Sequence, residues 1–444
     1  MKAGPLQYRG SPDAFEAVPR RHRTPGQDPF ARQELAAEPD SGYEGQGQDW
    51  ERRSHSLISP ADVGQANRGR ILQALFDLGP TSRAELARNA GVNRATITGI
   101  VQPLIEEGVL VEGEPLPAGG SGGKPARPLE FSPHAPRVVG VKLMPGAVRS
   151  ALVSWTGEVV AKHRRHFSPD LRIAAPAFDA IEACISRTLA AATQPPLGIG
   201  VAVGGMVDTD RGSIVAVNLA PILSGLPLGP MLEDRFGLPV CLDHHPRAML
   251  LGDRWFGVGR GVKSFAAIFT GEVLGGALLL DGHLYRGPHG AGGELGHTFV
   301  QIEGDVCRCG RRGCWETIAT LGWLRREART ARLPDPDTID SGRLVALVEQ
   351  GVAGAARVFD RYARNLATGI ANLQQTVAPN LYVVHGDVVV GGEPMRSAIE
   401  RHVRDLVPAH PGGQPQIVLG DPEDHATLRG AAGLVLSQQL QFLL

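Results

Sequence analysis

Three of the five cysteines of this 444-residue chain lie within eight positions, in the segment CRCGRRGCWE at residues 307–316. A disulfide between Cys307 and Cys309 would close a strained ring. Three neighbouring thiolates instead favour zinc, which takes four ligands in a structural site. The preceding segment GAGGELGH ends in His297, which supplies the fourth ligand. We therefore predict a closed, structural Zn²⁺ site, against the alternative of three unliganded thiols, on His297, Cys307, Cys309 and Cys314.

The overall composition is that of a soluble globular protein, with 42% hydrophobic and 20% charged residues. No apolar run reaches the roughly 18–20 residues that a transmembrane helix needs, and the N-terminus lacks the apolar core of a signal peptide. We expect a cytoplasmic protein without a membrane partner, in a compartment that keeps thiols reduced. Because the net charge is only −1, any contact with DNA must come from a local patch.

The chain divides into three regions by texture. Residues 1–60 are rich in Pro, Gly, Gln, Arg and Glu without an apolar period, which predicts a disordered N-terminal extension; a wrongly chosen start codon would look the same. Residues 65–132 carry short helical patterns followed by two strands. Residues 136–444 alternate apolar strands such as VVGVKL, GIGVAV and FAAIF with glycine turns and helices, which is α/β texture.

The second region has the pattern of a winged helix-turn-helix. A helix from Asn67 ends at Gly79, a second begins at a capping box on Thr81 or Ser82, and a third begins at Asn93 and meets a possible kink at Pro103. VLVEGE and a strand after the glycine-rich loop complete the hairpin. The third helix would enter the major groove of a double-stranded DNA operator, and its first polar residues are the predicted base contacts: Asn93, Arg94, Thr96 and Thr98. The same residues also suit an ordinary solvated helix start.

The loop at residues 119–128 adds a second predicted DNA contact. Its glycines let the backbone approach a narrow groove, where Lys124 and Arg127 would read shape and negative potential; the alternative is a flexible interdomain linker. Residues 65–128 contain seven basic and six acidic side chains, so bulk charge contributes little. We therefore expect binding to depend on a homodimer or tetramer that reads an inverted repeat.

Two segments carry a family resemblance. GPHGAGGELGH followed by CRCGRRGCWE resembles the signature of the ROK family of repressors, open reading frames and sugar kinases, and the winged helix with GGSGGKPARPLEF resembles its repressor branch. The resemblance spans about residues 65–436. It implies a duplicated actin-like (ribonuclease H-like) ATPase fold of two lobes with a cleft between them. It also implies that Glu294, His297 and Glu316 contact the hydroxyls of a sugar or sugar derivative.

Three departures from the family pattern predict the loss of kinase activity. The first phosphate loop has Lys142 and Met144–Pro145 in place of its usual residues, and proline removes an amide that could hold phosphate. The second loop, GEVLGGA at 271–277, has Glu272 in place of threonine and Val273 in place of glycine. Counting back from Phe256–Gly257 puts His244 and His245 at the Asn-Asp pair that serves catalysis in the family, although another register would make Asp243 the base.

These observations favour a DNA-binding transcriptional regulator, expected to be a repressor, with an inactive effector domain. His244 and His245 then join the effector-binding residues. One alternative is an active sugar kinase with an added DNA-binding domain. A second is a regulator without a sugar effector that senses zinc or redox state through the Cys₃His site. The adenosine-side segment YVVHGDVVVGG also departs from the family, with His385 and Asp387 beside Gly386.

Overall fold

A computed structural model describes residues 60–115, 126–169, 173–408 and 412–440. Of the extension predicted to be disordered, residues 1–60, all but Pro60 lie outside these residues, as does the predicted contact Lys124; Pro60 begins a helix. The helices longer than one turn are α1 (Pro60–Leu78), α2 (Arg83–Ala90), α3 (Arg94–Glu106), α4 (Ala175–Leu189), α5 (Leu228–Phe236), α6 (His245–Phe256), α7 (Leu321–Thr330), α8 (Ser341–Glu349), α9 (Ala355–Val377), α10 (Asp387–Leu406) and α11 (His425–Leu440). The strands are β1 (Thr81–Ser82), β2 (Leu110–Glu112), β3 (Pro128–Phe131), β4 (Val138–Met144), β5 (Ala147–Val153), β6 (Val159–His166), β7 (Ile199–Val203), β8 (Met206–Asp208), β9 (Ser213–Ala216), β10 (Val240–His244), β11 (Phe265–Thr270), β12 (Gly275–Leu280), β13 (His283–Leu284), β14 (Leu381–Gly386) and β15 (Gln416–Leu419).

The helix ends of the N-terminal region follow local capping chemistry. Ser82 begins α2, and its Oγ accepts a hydrogen bond of 3.2 Å from the Glu85 amide. Gly79 follows α1 with a φ of 78°, a conformation that glycine adopts without steric cost. The prediction that the first helix begins at Asn67 was wrong, since α1 starts at Pro60. Residues 60–66, PADVGQA, contain a glycine and no regular apolar period, so the helical pattern could not be followed back to Pro60.

A small sheet closes the N-terminal region. β3 pairs antiparallel with β2 on one side and with β1 on the other, in the order β1-β3-β2. The sequence predicted only β2 and β3, because a strand of two residues shows no alternation. Pro103 lies inside α3, which continues to Glu106. The buried side of α3, formed by Ile97, Val101 and Leu104, packs in one core with α1 and the sheet.

The rest of the chain repeats one sheet topology twice. The first five-stranded sheet has the order β10-β7-β4-β5-β6 and the second has the order β15-β14-β11-β12-β13. In each sheet a central strand starts an antiparallel meander on one side and has two parallel strands on the other. This repetition shows two related lobes, which the sequence alone could not establish. The turn after β4 and the link after β11 occupy equivalent places.

Helices α6 and α11 cross at very close range. A Cβ atom added at Gly252 would lie 1.9 Å from the Ala426 carbonyl oxygen, and one added at Gly430 would lie 1.6 Å from the Ala248 oxygen. Backbone therefore packs directly on backbone, which only glycine allows at these two positions. Across the described part of the chain, every helix is too short or too polar to traverse a bilayer.

Candidate metal centre and ligand cavity

The four predicted zinc ligands lie together. One donor atom from each of His297, Cys307, Cys309 and Cys314 lies within 4.8 Å of all the others. The Cys309 and Cys314 sulfurs are 3.7 Å apart, and Cys307 Sγ lies 3.5 Å from His297 Nδ1. A tetrahedral zinc with Zn–S bonds of about 2.3 Å and Zn–N bonds of about 2.0 Å would separate two sulfurs by about 3.7 Å and sulfur from nitrogen by about 3.5 Å. The donor set and these two separations therefore fit Zn²⁺.

The backbone around the cysteines is folded by two glycines and anchored by a tryptophan. Gly310 and Gly313 have φ values of 84° and 73°, and a Cβ at Gly313 would lie 1.6 Å from the Gln301 carbonyl oxygen. Trp315 is buried, and its Nε1 donates to the Asn365 carbonyl oxygen at 2.9 Å. The cluster is thus held against α9 and does not depend on the loop alone.

A cavity of about 480 Å³ adjoins this cluster. It is bounded by the turn after β4, the link after β11, the start of α6 and the segment that holds the cysteines. All five predicted effector-binding residues line it, namely Glu294, His297, Glu316, His244 and His245. The volume lies in the range of about 300–1,000 Å³ typical of small-molecule sites.

The histidine and glutamate side chains of the cavity wall lie near one another, beyond hydrogen-bond distance. His244 Nδ1 lies 3.9 Å from Glu294 Oε1, and His297 Nδ1 lies 3.9 Å from Glu316 Oε1. Burial, reinforced by the nearby Arg247 cation, lowers the pKa of His244 to about 3. Burial also raises the pKa of Glu294. His244 is therefore a neutral imidazole at pH 7. The neighbouring carboxyl groups can form hydrogen bonds with hydroxyl groups of a ligand.

The second histidine is buried more deeply, where α6 begins. His245 is 2% exposed, and its ring meets that of Phe269 edge-on with centroids 4.7 Å apart. Its Nε2 lies 3.2 Å from Thr427 Oγ1. Burial is the main reason that the pKa of His245 lies well below its ordinary value. A neutral ring in an apolar contact supplies neither the charge nor the two acceptor oxygens of a carboxylate.

The alternative register, with Asp243 as the base, does not agree with the structure. Asp243 is 1% exposed and forms ion pairs with Arg247 and with Arg286, the latter at 3.0 Å. It lies outside the cavity because successive residues of β10 point to opposite faces. His244, which follows it, lines the cavity.

The two turns expected at the phosphate loops carry unusual groups. Lys142 is buried and forms an ion pair with Asp424, while Pro145 lines the cavity without an amide proton. Glu272 also lines the cavity, and its carboxylate lies 2.8 Å from Arg325. The charges in this region are therefore matched within the protein.

Buried polar groups occupy the segment expected near adenosine. Asp387 accepts hydrogen bonds from the Ser341 amide at 3.0 Å and from the Tyr362 hydroxyl at 3.2 Å. His385 Nε2 lies 2.7 Å from Asp253 Oδ2, and both side chains are buried. Each of these groups has a partner inside the fold.

The predicted DNA contacts are partly accounted for by local structure. Asn93 begins α3 as its cap, since its Oδ1 accepts from the Thr96 amide at 2.8 Å and from Thr96 Oγ1 at 3.0 Å. Thr98 Oγ1 donates to the Arg94 carbonyl oxygen at 3.0 Å. The Arg94 and Arg127 side chains are exposed. Arg94 thus exposes a positive charge at the start of α3, while the Asn93 side chain caps the helix.

Several cavity residues were missed by the sequence reasoning. Asn218 and the pair Gly204–Gly205 line the cavity beside the polar wall. The signal for Asn218 was a lone amide between an apolar strand and a Pro-containing turn in AVNLAP. Arg308 and Arg311, which lie between the cysteines, also line the cavity.

The fold and the cavity together define a two-lobed protein of the sugar-kinase type. The chain belongs to the ROK family, whose family model matches residues 138–438. A xylose repressor of Caldicellulosiruptor bescii is 26% identical over 88% of this chain and 98% of its own length. The crystal structure of a ROK transcriptional regulator homologous to Escherichia coli Mlc has a TM-score of 0.71 and 25% identity, covering 86% of this chain and 98% of that one. A Streptomyces griseus ROK glucokinase bound to glucose and AMPPNP has a TM-score of 0.61 and 26% identity, covering 68% of this chain and 99% of the enzyme.

Proposed function

We propose that this protein is a transcriptional regulator, in the repressor branch of the family, which binds DNA and responds to a small molecule in the cavity. The observation that carries the proposal is the joining of two parts in one chain. Residues 60–115 and 126–131 form three helices and a small sheet with an exposed Arg94 at the start of α3. They precede a ROK domain that has a cavity but departs from the family pattern at the two phosphate loops and at the catalytic pair. The name of the xylose repressor, which aligns over 98% of its own length, supports the same function.

The N-terminal part serves as a winged helix-turn-helix in this proposal. Helix α3 enters the major groove, Arg94 and Thr96 face base edges, and Arg127, which follows the glycine-rich segment, approaches the adjoining minor groove. Arg68 and Arg83 form ion pairs with Glu107 and Glu112, so they add little positive potential. A homodimer on an inverted repeat then supplies the affinity that charge alone does not.

The ROK domain acts as a sensor without catalysis in this proposal. Phosphoryl transfer depends on positioning and on neutralising charge around the nucleotide. Neutral imidazoles at His244 and His245, Pro145 in the first turn and Glu272 in the second remove the base and the phosphate contacts together. Zn²⁺ on His297 and the three cysteines has a structural role, since four protein ligands leave no open position.

Selection of DNA sites from a random pool, followed by gel-shift titration, tests the proposal. We expect an inverted repeat, and Arg94→Ala should weaken binding by about 1–3 kcal/mol and relax the preference at one base pair in each half-site. Arg404→Ala is the matched control, because Arg404 is an exposed arginine on α10. Recovery of no preferred sequence, or equal affinity of wild type and Arg94→Ala, would contradict the assignment.

A further inference from the structure

A charged network of three side chains, Asp243, Arg247 and Arg286, lies at the junction of β10 and α6. The Asp243 carboxylate accepts hydrogen bonds from Arg247 Nε in the first turn of α6 and from Arg286 Nε, the latter at 3.0 Å. It also accepts one from the His244 amide at 2.7 Å. Asp243 and Arg247 are each 1% exposed, so water and salt screen this pair little.

Arg247 extends this network to the loop that follows β13, residues 286–293. Its Nη1 donates to the carbonyl oxygens of Gly290 and Gly292, at 2.9 Å each. Gly287 and Gly290 have φ values of 66° and 76°, and glycine backbone has more conformations open to it than any other. Hydrogen bonds to the backbone therefore restrict the shapes that this loop can take. Because β10 belongs to the first sheet and β13 to the second, Arg247 also joins the two lobes here.

Glu294 follows this loop directly and lines the cavity. Among the described residues, no group donates a hydrogen bond to its carboxylate. The one ionic contact recorded for it there is with His244 Nδ1, at 3.9 Å. The place of the Glu294 carboxylate therefore depends on the backbone that carries it.

The network is also tied to the other member of this pair. Successive residues of a strand point to opposite faces, so Asp243 reaches the network while His244 lines the cavity. His244 Nδ1 is buried and has no hydrogen-bond partner in the part of the chain that the structure describes. His244 and Glu294 are thus both connected to Asp243, one through its own amide and the other through Arg247 and the loop.

We propose that Arg247 is a positioning residue of the cavity, which sets Glu294 at the distance from His244 where one ligand hydroxyl can bond to both. A hydroxyl oxygen about 2.8 Å from each atom fits their separation of 3.9 Å. Arg247 acts without touching the ligand, since it is not among the described residues that line the cavity. This inference rests on the proposed function of the cavity as the effector site.

The variant Arg247→Lys separates the loop contacts from the charge. Lysine keeps a positive charge beside Asp243, but it lacks the planar fork that serves a carboxylate and two carbonyl oxygens at once. Arg396→Lys is the matched control. Arg396 likewise pairs with carboxylates and donates to a backbone carbonyl, that of Ile417 at 3.1 Å, and it lies on α10 outside the cavity lining.

Hydrogen exchange of the free chain tests the loop without any ligand. Arg247→Lys should accelerate exchange severalfold within residues 290–296 and leave α9 as in the wild type. Arg396→Lys should leave both segments unchanged. Unchanged exchange in residues 290–296 of Arg247→Lys, or equal acceleration there and in α9, would overturn the inference, because the role of Arg247 would then be absent or merely structural.

A double-mutant cycle tests whether Arg247 acts through Glu294. Calorimetric titration of the full chain with glucose and with xylose gives the affinities, and the cycle uses the sugar that binds more tightly. Glu294→Gln should weaken binding about tenfold or more in the wild type, but less than about threefold in Arg247→Lys, where the carboxylate is already misplaced. Asn218→Ala, at another lining residue, should weaken binding by the same factor in both backgrounds. Equal factors for Glu294→Gln in the two backgrounds would refute the inference.

Selection of DNA sites by the same chain separates this inference from the proposed function. Independent effects of Arg247→Lys and Glu294→Gln in a chain that selects an inverted repeat would keep the regulator and reject the positioning role. Coupled effects of the two substitutions in a chain that selects no DNA sequence would keep the positioning role and reject the regulator.

Discussion

At residues 244 and 245, where the family pattern predicts an Asn-Asp pair, this chain has two imidazoles, and their surroundings decide what they can do. His245 has Phe269 against its ring and Thr427 at its Nε2. The positively charged Lys142 and the neighbouring His385 further disfavour its protonation, after burial. The residue is therefore a packed, neutral part of the cavity wall.

The depressed pKa of His245 should appear in the pH dependence of stability. Because the folded-state pKa lies below the unfolded value of about 6.5, the unfolded chain binds the proton first. Stability is then fully present above about pH 6.5 and falls as the pH decreases, by up to about 1.4 kcal/mol per pH unit for one group. Urea titrations between pH 7 and pH 5 should show a shallower loss in His245→Asn than in the wild type. His166→Asn, at an exposed position on β6, should follow the wild type, and identical slopes for all three proteins would contradict the expectation.

The cysteine cluster should carry about one zinc per chain. Cys309→Ser should lower both the metal content and the melting temperature, because a structural zinc contributes folding free energy. Cys241→Ser is the control, since Cys241 contacts Gln438 far along the chain from the cluster. Metal analysis and thermal unfolding test both effects together. A metal-free wild-type protein as stable as Cys309→Ser would show that the cluster does not bind zinc.

At the scale of elements, α6 connects the cavity to the N-terminal region. Its 12 residues span about 18 Å, from His245 in the cavity wall to Trp255 and Phe256. The Trp255 ring stacks on Phe76 of α1 with centroids 5.6 Å apart. Arg254 forms an ion pair with Asp77, with Nη2 and Oδ2 3.1 Å apart. The helix therefore touches both functional parts of the chain.

The Arg254–Asp77 pair should stabilise the attachment of α1. Removing one partner of a buried pair costs about 3–5 kcal/mol, whereas exposed pairs contribute about 0–1 kcal/mol. The Arg254 and Asp77 side chains are 10% and 26% exposed, so Asp77→Asn should lower the free energy of unfolding by about 1–3 kcal/mol. Hydrogen exchange in α1 should accelerate as well. Asp337→Asn breaks an exposed pair with Arg329 and should have little effect; an equally small effect of Asp77→Asn would show that this attachment does not need the ion pair.

At the scale of the whole molecule, the two lobes have turns at equivalent places, and the residues in both turns depart from the family pattern. The turn after β4 in the first lobe carries Pro145, and the link after β11 in the second carries Glu272 paired with Arg325. A nucleotide held between the lobes needs contacts from both. Restoring one residue should therefore not restore catalysis.

Replacement of the second histidine by a carboxylate tests this expectation. His245→Asp should produce no ATP turnover across a panel of sugars, because the phosphate contacts are still missing. A coupled assay should find neither the wild type nor the variant near ordinary enzyme rates of about 1–10³ s⁻¹. The S. griseus ROK glucokinase serves as the positive control. Turnover by the wild type would establish the kinase alternative, and turnover by the variant alone would show that the nucleotide site is intact.

The sequence by itself determined the features that depend on short spacing. The cap at Ser82, the start of α3 at Asn93, the paired strands β2 and β3 and the set of four potential zinc ligands all follow from residues that are close in the chain. Their geometry is local, so composition and periodicity carry the information. The two-lobed fold was implied only by the resemblance to a family, and not by spacing or periodicity.

Only the tertiary structure decided how distant groups meet. Lys142 and Asp424 are 282 positions apart, and their pairing removes from the cavity a cation that the sequence placed at the first phosphate turn. The Asp243 side chain forms ion pairs on the face of β10 that points away from the cavity. Asn218 lines the cavity although it lies in a turn without a strong motif. Such contacts depend on the packing of two sheets and on the close crossing of α6 and α11, and no local propensity encodes which partners a folded backbone brings together.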